Sequence, residues 1–281
     1  MTALSMPAYK LRRRIAATIF LAFGYLVLLG PVVYVALASF DYGQRAYVVF
    51  PPEKLTIEAY LRIPARYWNA LGVSLIVALS TTVIACLIGI PAAMGIVRGS
   101  FRGKSVVLAI LRAPLQIPAV VAGVAFLQAY YVIGAATGWY GASTFAGVIV
   151  AHVFAATPYL IGTLVSSLQR FDTSIEEAAL ILGATPLGTL RQVTLPMMRP
   201  GIFAGALYAF MISFGEVPMS VFLTSGRLVT LPVEIFNSMQ FDFEPVILAI
   251  STLVTILSLA MVWIVQRAIG LDIFINKGAA E

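Results

Sequence analysis

Charge is what this 281-residue chain has least of: 11% of its residues are charged, against roughly 25% in a soluble domain. A single cysteine, Cys86, excludes a disulfide and a cysteine-built metal site. A single histidine, His152, leaves too few ligands for a metal cluster and no credible nucleophile–base pair. A complete phosphate-binding loop is missing as well. Gly103-Lys104-Ser105 copies its tail, but Arg98 stands where the leading glycine is needed and no strand precedes it. No convincing internal repeat or low-complexity tract occurs. Catalysis and nucleotide binding are therefore not expected of this chain itself.

What the chain has is apolar length. It is 60% hydrophobic with mean hydropathy +0.96, and its apolar runs reach the roughly 20 residues that cross a bilayer. The fold class expected is an all-α membrane protein of six transmembrane helices, with a tail at 1–14, a spanning domain at 15–269 and a tail at 270–281. Ile15–Phe40 reads as a retained first span. Ala36-Leu37-Ala38 imitates a cleavage site, but the apolar stretch exceeds the roughly 7–15 residues of a signal peptide. Ala70–Val97, Leu115–Gly134, Ser143–Leu168, Gly201–Leu223 and Glu244–Ile269 are the other five. Asp41–Tyr67 is a wet loop with both charge signs, and Trp139 and Tyr140 mark a membrane interface in the turn Ala135–Ala142. A short helix is expected in the next outer loop, near Pro232–Met239.

The net charge of +6 does not form one basic face, so no nucleic-acid partner is expected. Of the 18 lysines and arginines, only Arg45, Lys54, Arg62, Arg66 and Arg227 fall in the first, third and fifth connections. The rest lie at the tails and in the second and fourth connections. The positive-inside rule then predicts cytoplasmic N- and C-termini, with loop 170–200 on the same side.

That loop is a polar island between two apolar segments. Thr173 and Ser174, each followed three residues later by Glu176 or Glu177, predict a capping-box start. Ala178 to Leu182 carry a short helix that Gly183 stops in the left-handed conformation. Thr185-Pro186 opens a second helix, which Leu195-Pro196 is expected to break. Two short water-exposed helices of this kind suit contact with another protein.

Glu177-Ala178-Ala179, then Gly183, then Val193-Thr194-Leu195-Pro196 resembles the EAA signature of the membrane subunits of binding-protein-dependent ABC importers, with Val193 replacing the usual isoleucine. The likeness runs from about the second span to the sixth and is nearest the spermidine/putrescine-type permeases. It implies type I importer architecture in a bacterial inner membrane and a loop docked on a cytoplasmic ATP-binding subunit dimer. Glu176, Glu177, Ala178, Ala179, Gly183, Ala184, Leu195 and Pro196 would carry that coupling. It also implies a second permease subunit, a sister chain, and a periplasmic solute-binding protein. ATP and magnesium belong to the partner, so no cofactor is expected in this chain.

For the solute path the residues themselves single out Glu216. A charge inside an apolar helix costs on the order of 2.5–3.5 kcal/mol, and Pro218 beside it frees a backbone carbonyl. His152, at similar depth in the fourth span, could hydrogen-bond directly to Glu216; Ser213 and Phe214 complete the candidate path. The bland alternative makes Glu216 interhelical glue bonded to Ser213 or Ser220, and Phe210, Met211, Phe214, Met219 and Phe222 packing residues. The family's His and Pro-aromatic pair is similar to His152, Pro158 and Tyr159, and its outer re-entrant segment to Thr230–Ser238. Two departures weigh against a polyamine: Ala119 follows Pro118 where an acid is usual, and Glu216 stands alone. A small polar organic solute, polyamine-like or amino-acid-derived, is expected. A ferric iron or organic-anion permease, or an ATP-independent transporter or channel, are the alternatives.

Overall fold

The computed structural model describes residues 8–41, 55–241, 244 and 246–278. Its helices are α1 (Ala8–Ala38), α2 (Glu58–Leu61), α3 (Ala65–Arg98), α4 (Lys104–Arg112), α5 (Ala119–Thr137), α6 (Phe145–Leu168), α7 (Ser174–Ile181), α8 (Pro186–Thr189), α9 (Leu195–Phe214), α10 (Ser220–Leu223), α11 (Leu231–Phe241) and α12 (Val246–Gly278). Two isolated bridges, Asp41 with Leu55 and Ser225 with Leu228, are the only strand-like pairings among the described residues. Six helical stretches are long and apolar enough to cross a membrane. This is the all-α, six-span class that the apolar runs predict. The tail at 1–7, the loop segment 42–54 and the last three residues lie outside the described set.

Several boundaries move for identifiable reasons. The third span starts at Ala119 rather than Leu115, because Pro118 has extended backbone and Ala113–Gln116 forms a separate 3₁₀ turn. The fourth starts at Phe145, since Thr144 caps it by accepting the Gly147 N–H at 3.1 Å. The sixth continues as helix to Gly278, into the expected tail. The expected break at Leu195-Pro196 does not occur. A π-helical turn, Leu190–Thr194, joins α8 to α9, and Pro196 falls in the first turn of α9. The widened turn relieves the clash a proline ring makes with the preceding turn, so the helical path continues. The fifth span ends early instead, at Phe214, and resumes as α10.

The molecule divides into two units, Met1–Pro64 with Ser238–Ile256, and Ala65–Asn237 with Leu257–Glu281. In the first, most apolar side chains of α1 are exposed, Phe20 at 76% and Leu28 at 73%, as suits a lipid-facing span. Beyond α1, the Thr56 N–H donates to the Phe40 carbonyl at 2.7 Å, and Ser39 Oγ shares a 2.5 Å hydrogen bond with Tyr60 Oη.

In the second unit α3, α6 and α9 pack on one another and form its centre. Along α3 the buried positions Ala70, Ser74, Ala78, Thr81, Ala85, Gly89 and Ala93 recur every three or four residues, a stripe of small side chains on one face. Lipid supplies no hydrophobic drive between helices, so close approach over small residues does the holding. Fully buried Leu160 of α6 is the matching knob, meeting Gly89 of α3 and Gly205 of α9. Gly123 of α5 plays the same part against α10: a Cβ there would stand 2.9 Å from Met219 Cα.

Gly123→Val should lower the thermal midpoint of the detergent-purified protein, at a cost of about 1–3 kcal/mol for overpacking. Gly72→Ala, where a Cβ meets open space, should leave the midpoint unchanged or raise it slightly. Equal midpoints for the two variants would show that α5 and α10 are not held by this contact.

Candidate functional site

Two places gather the residues that composition singles out. The first is the loop between α6 and α9. Asp172, not Thr173 or Ser174, caps α7: its carboxylate accepts the Ser174 N–H at 2.9 Å, and Thr173 makes no side-chain cap bond. The expected capping box is absent because Glu176 is drawn elsewhere, its carboxylate lying 3.1 Å from Arg98 Nε and accepting the Thr194 hydroxyl at 2.9 Å. The hydrogen bonds from Ser174, backbone N–H first and hydroxyl second, hold the exposed Asp172 carboxyl below its ordinary range.

Gly183 ends α7 as expected, with φ +90°. The Ala184 N–H bonds to the Ala179 carbonyl and the Gly183 N–H to that of Leu180, both at 3.0 Å, the paired closure of a Schellman turn. Ala179 and Ala184 are therefore partners through their backbones. Thr185 opens α8 by accepting the Gly188 N–H at 3.1 Å. Glu177 and Ala178 are exposed, while Leu195 and Pro196 are half-buried. At the tip stand Ile181 and Leu182, 86% and 87% exposed. In the sequence they read only as helix formers. Their adjacency to a helix-ending glycine was the available signal, because residues in the last turn before a tight reversal have little left to pack against.

The second place is the break between α9 and α10, which corrects the expectation that Glu216 lies within a continuous helix. Glu216 precedes α10 and caps it. Oε1 accepts the Met219 N–H at 2.8 Å; Oε2 accepts the Ser220 N–H at 2.8 Å and the Ser220 hydroxyl at 2.6 Å. An acid followed by proline two residues later is a helix-start pattern as readily as a kink. His152 does not touch Glu216 directly; Ser220 stands between them. His152 Nε2 is 2.9 Å from Ser220 Oγ, and Nδ1 is 2.8 Å from Ser213 Oγ. Since the Ser220 hydroxyl donates to the carboxylate, its oxygen is left to accept from the His152 ring. His152 thus staples α9 to α10 across the break while itself fully buried.

Of the four expected path residues, Glu216 lines a pocket. It faces a pocket of about 270 Å³ with Pro114, Ala119, Phe154, Tyr159 and Ile212. His152 and Ser213 sit behind it, and Phe214 stacks on Phe210, ring centroids 5.4 Å apart, as packing. A wider groove of about 700 Å³ carries the hydroxyl-bearing Tyr159, Thr163, Ser167 and Tyr208 and reaches Arg170 and Pro200 near the start of the α7 loop. Tyr159 and Leu115 border both spaces. The pocket at the capped break and the groove that reaches the loop are thus neighbours along α6 and α9.

Residues 85–272 match the family of binding-protein-dependent transport system inner membrane components. Putrescine transport system permease protein PotI of Escherichia coli (strain K12) is 36% identical over 187 residues, a stretch covering 66% of this chain and 66% of that relative, just under two thirds of its length. Spermidine/putrescine transport system permease protein PotC of Haemophilus influenzae is 32% identical over 193 residues, 69% of this chain and 73% of that one. A bacterial ABC transporter involved in import of the acidic polysaccharide alginate shares the fold, with TM-score 0.74, 17% identity, and 94% of this chain and 99% of its own covered. With a matched region that takes in the Glu177-Ala178-Ala179 loop, the capped break and the chain from the middle of α3 into α12, the chain belongs to the binding-protein-dependent transport system inner membrane component family.

Proposed function

We propose that this chain is the permease subunit of an ABC importer in a bacterial inner membrane, with both termini and loop 170–200 in the cytoplasm. Its partners are a cytoplasmic ATP-binding subunit dimer, a sister permease chain and a periplasmic solute-binding protein. ATP hydrolysis belongs to the first of these and no catalytic step to this chain. The observation that carries the proposal is the exposed pair Ile181 and Leu182 on a polar, two-helix loop. Burying such a side chain against a partner is worth roughly 1.5–3 kcal/mol, and the acidic and polar residues around it keep the loop out of lipid.

The solute route is the groove and pocket that meet at Tyr159. The solute is a small polar organic molecule, polyamine-like or amino-acid-derived, in keeping with the putrescine and spermidine named for the two relatives. Glu216 gives its carboxylate to three donors of α10, so it shapes the break and offers a passing solute only a partly neutralised charge. Closure of the ATP-binding subunits displaces α7, and the displacement reaches the route through α9.

Three outcomes check this reading. In a Cys86→Ser background, Thr185→Cys should resist a membrane-impermeant maleimide in intact cells and react in inverted vesicles; labelling from outside would overturn the topology. Leu182→Asp should cut copurification of the ATP-binding subunit, and Gly183→Asp, forced to φ near +90° at about 1–2 kcal/mol, should leave hydrolysis running while uptake falls. Normal uptake by both variants would remove the coupling role. Glu216→Ala leaves the Met219 and Ser220 donors without their acceptor, each at a cost of about 1–3 kcal/mol, and should lower both thermal stability and uptake. An unaffected Glu216→Ala transporter would mean the break does not depend on its cap.

A further inference from the structure

Glu176 stands where the loop and two core helices converge. Oε2 lies 3.1 Å from Nε of Arg98, the last residue of α3. Oε1 accepts the hydroxyl of Thr194, the last residue of the π-turn and the neighbour of α9. The Arg98 and Glu176 side chains are 25% and 19% exposed, and Thr194 is 5% exposed. The contact is a charge pair and not a hydrogen bond, since Arg98 Nε has no hydrogen-bond partner, and at this burial it is screened less than a surface ion pair. Glu176 consequently faces the chain's own core, and Glu177 is the loop carboxylate that faces outward.

The loop has two compliant points between its tip and the core. One is the reversal at Gly183, the other the π-turn at Leu190–Thr194, where extra room in the ladder loosens the helix. A push on Ile181 and Leu182 would be absorbed at these points if the covalent path were the only link. The carboxylate of Glu176 bypasses the reversal at Gly183 and reaches the far end of the π-turn, joining α7 to the end of α3 and, through Thr194, to the residue that precedes α9, two of the three helices at the centre of their unit.

We propose that Arg98 is a positioning residue for coupling: through Glu176 and Thr194 it locks the docking helix α7 to α3 and α9, so that displacement of the loop moves the core as one body. The proposal rests on the reading of this loop as the surface that meets the ATP-binding subunit. It assigns a part to Arg98, which lies outside the loop motif.

The test uses the complete importer in lipid nanodiscs, with its binding protein carrying the solute with which it purifies. Spin labels at Leu180→Cys on α7 and Leu87→Cys on α3, in a Cys86→Ser background, report the distance between the two helices with and without ATP. The native pair should give one narrow distance in both states. Arg98→Gln and Glu176→Gln should each broaden or shift it on ATP binding, and each should reduce the stimulation of ATP hydrolysis by the loaded binding protein about tenfold. Reversing the pair, Arg98→Glu with Glu176→Arg, should recover most of both readouts, which a merely structural loss would not. Single variants with native distances and native stimulation would overturn the proposal, as would a reversed pair no better than either single. Failure of the native complex to retain its ATP-binding subunit would instead overturn the docking reading on which it rests.

Discussion

Every backbone N–H and carbonyl inside a bilayer has to find a partner within the protein, since hydrocarbon offers none. This requirement shapes the one true interruption among the core spans. Between Phe214 and Ser220 the helix stops, and the N–H groups that start α10 would be stranded. Glu216 supplies both of its oxygens to them. Ser220 adds a hydroxyl to the same carboxylate, and His152 holds that serine from the neighbouring helix. A break satisfied so fully can face a pocket without collapsing, and irregular backbone beside a cavity is the arrangement transport requires.

The remainder of that unit makes the break stable. Small residues along α3 and glycines on α5 and α9 let the helices approach until van der Waals contact is continuous, with Leu160 fitted between Gly89 and Gly205. Packing of this density is not continuously deformable, so a core built this way moves as discrete bodies. The groove beside Tyr159, Thr163 and Tyr208 lies along α6 and α9. The packed core and the groove are thus built by the same helices.

Exposure has opposite meanings in the two parts of the chain. On α1 the exposed leucines and phenylalanines are at rest in lipid. On the α7 loop Ile181 and Leu182 stand among charged and polar neighbours, where water would be the solvent and a protein surface is the natural cover. The charge pair of Glu176 with Arg98 ties this loop to the end of α3.

The linear sequence was enough to determine the solvent, the span number and the loop. Apolar runs of bilayer length, a glycine that had to adopt positive φ at Gly183, and the spacing from Glu177 to Pro196 are local properties, legible from neighbours along the chain. The cap on α8 at Thr185 was legible for the same reason. Tertiary structure decided what depends on partners far apart in sequence: that Glu176 turns inward to Arg98 and Thr194, that Ser220 stands between His152 and Glu216, and that Phe214 is buried, stacked on Phe210. It also decided that Pro196 is absorbed by a π-turn while Pro218 accompanies a break. Proline signals a lost hydrogen bond in both places; only the surrounding helices fix whether the ladder widens to continue or ends and is capped anew.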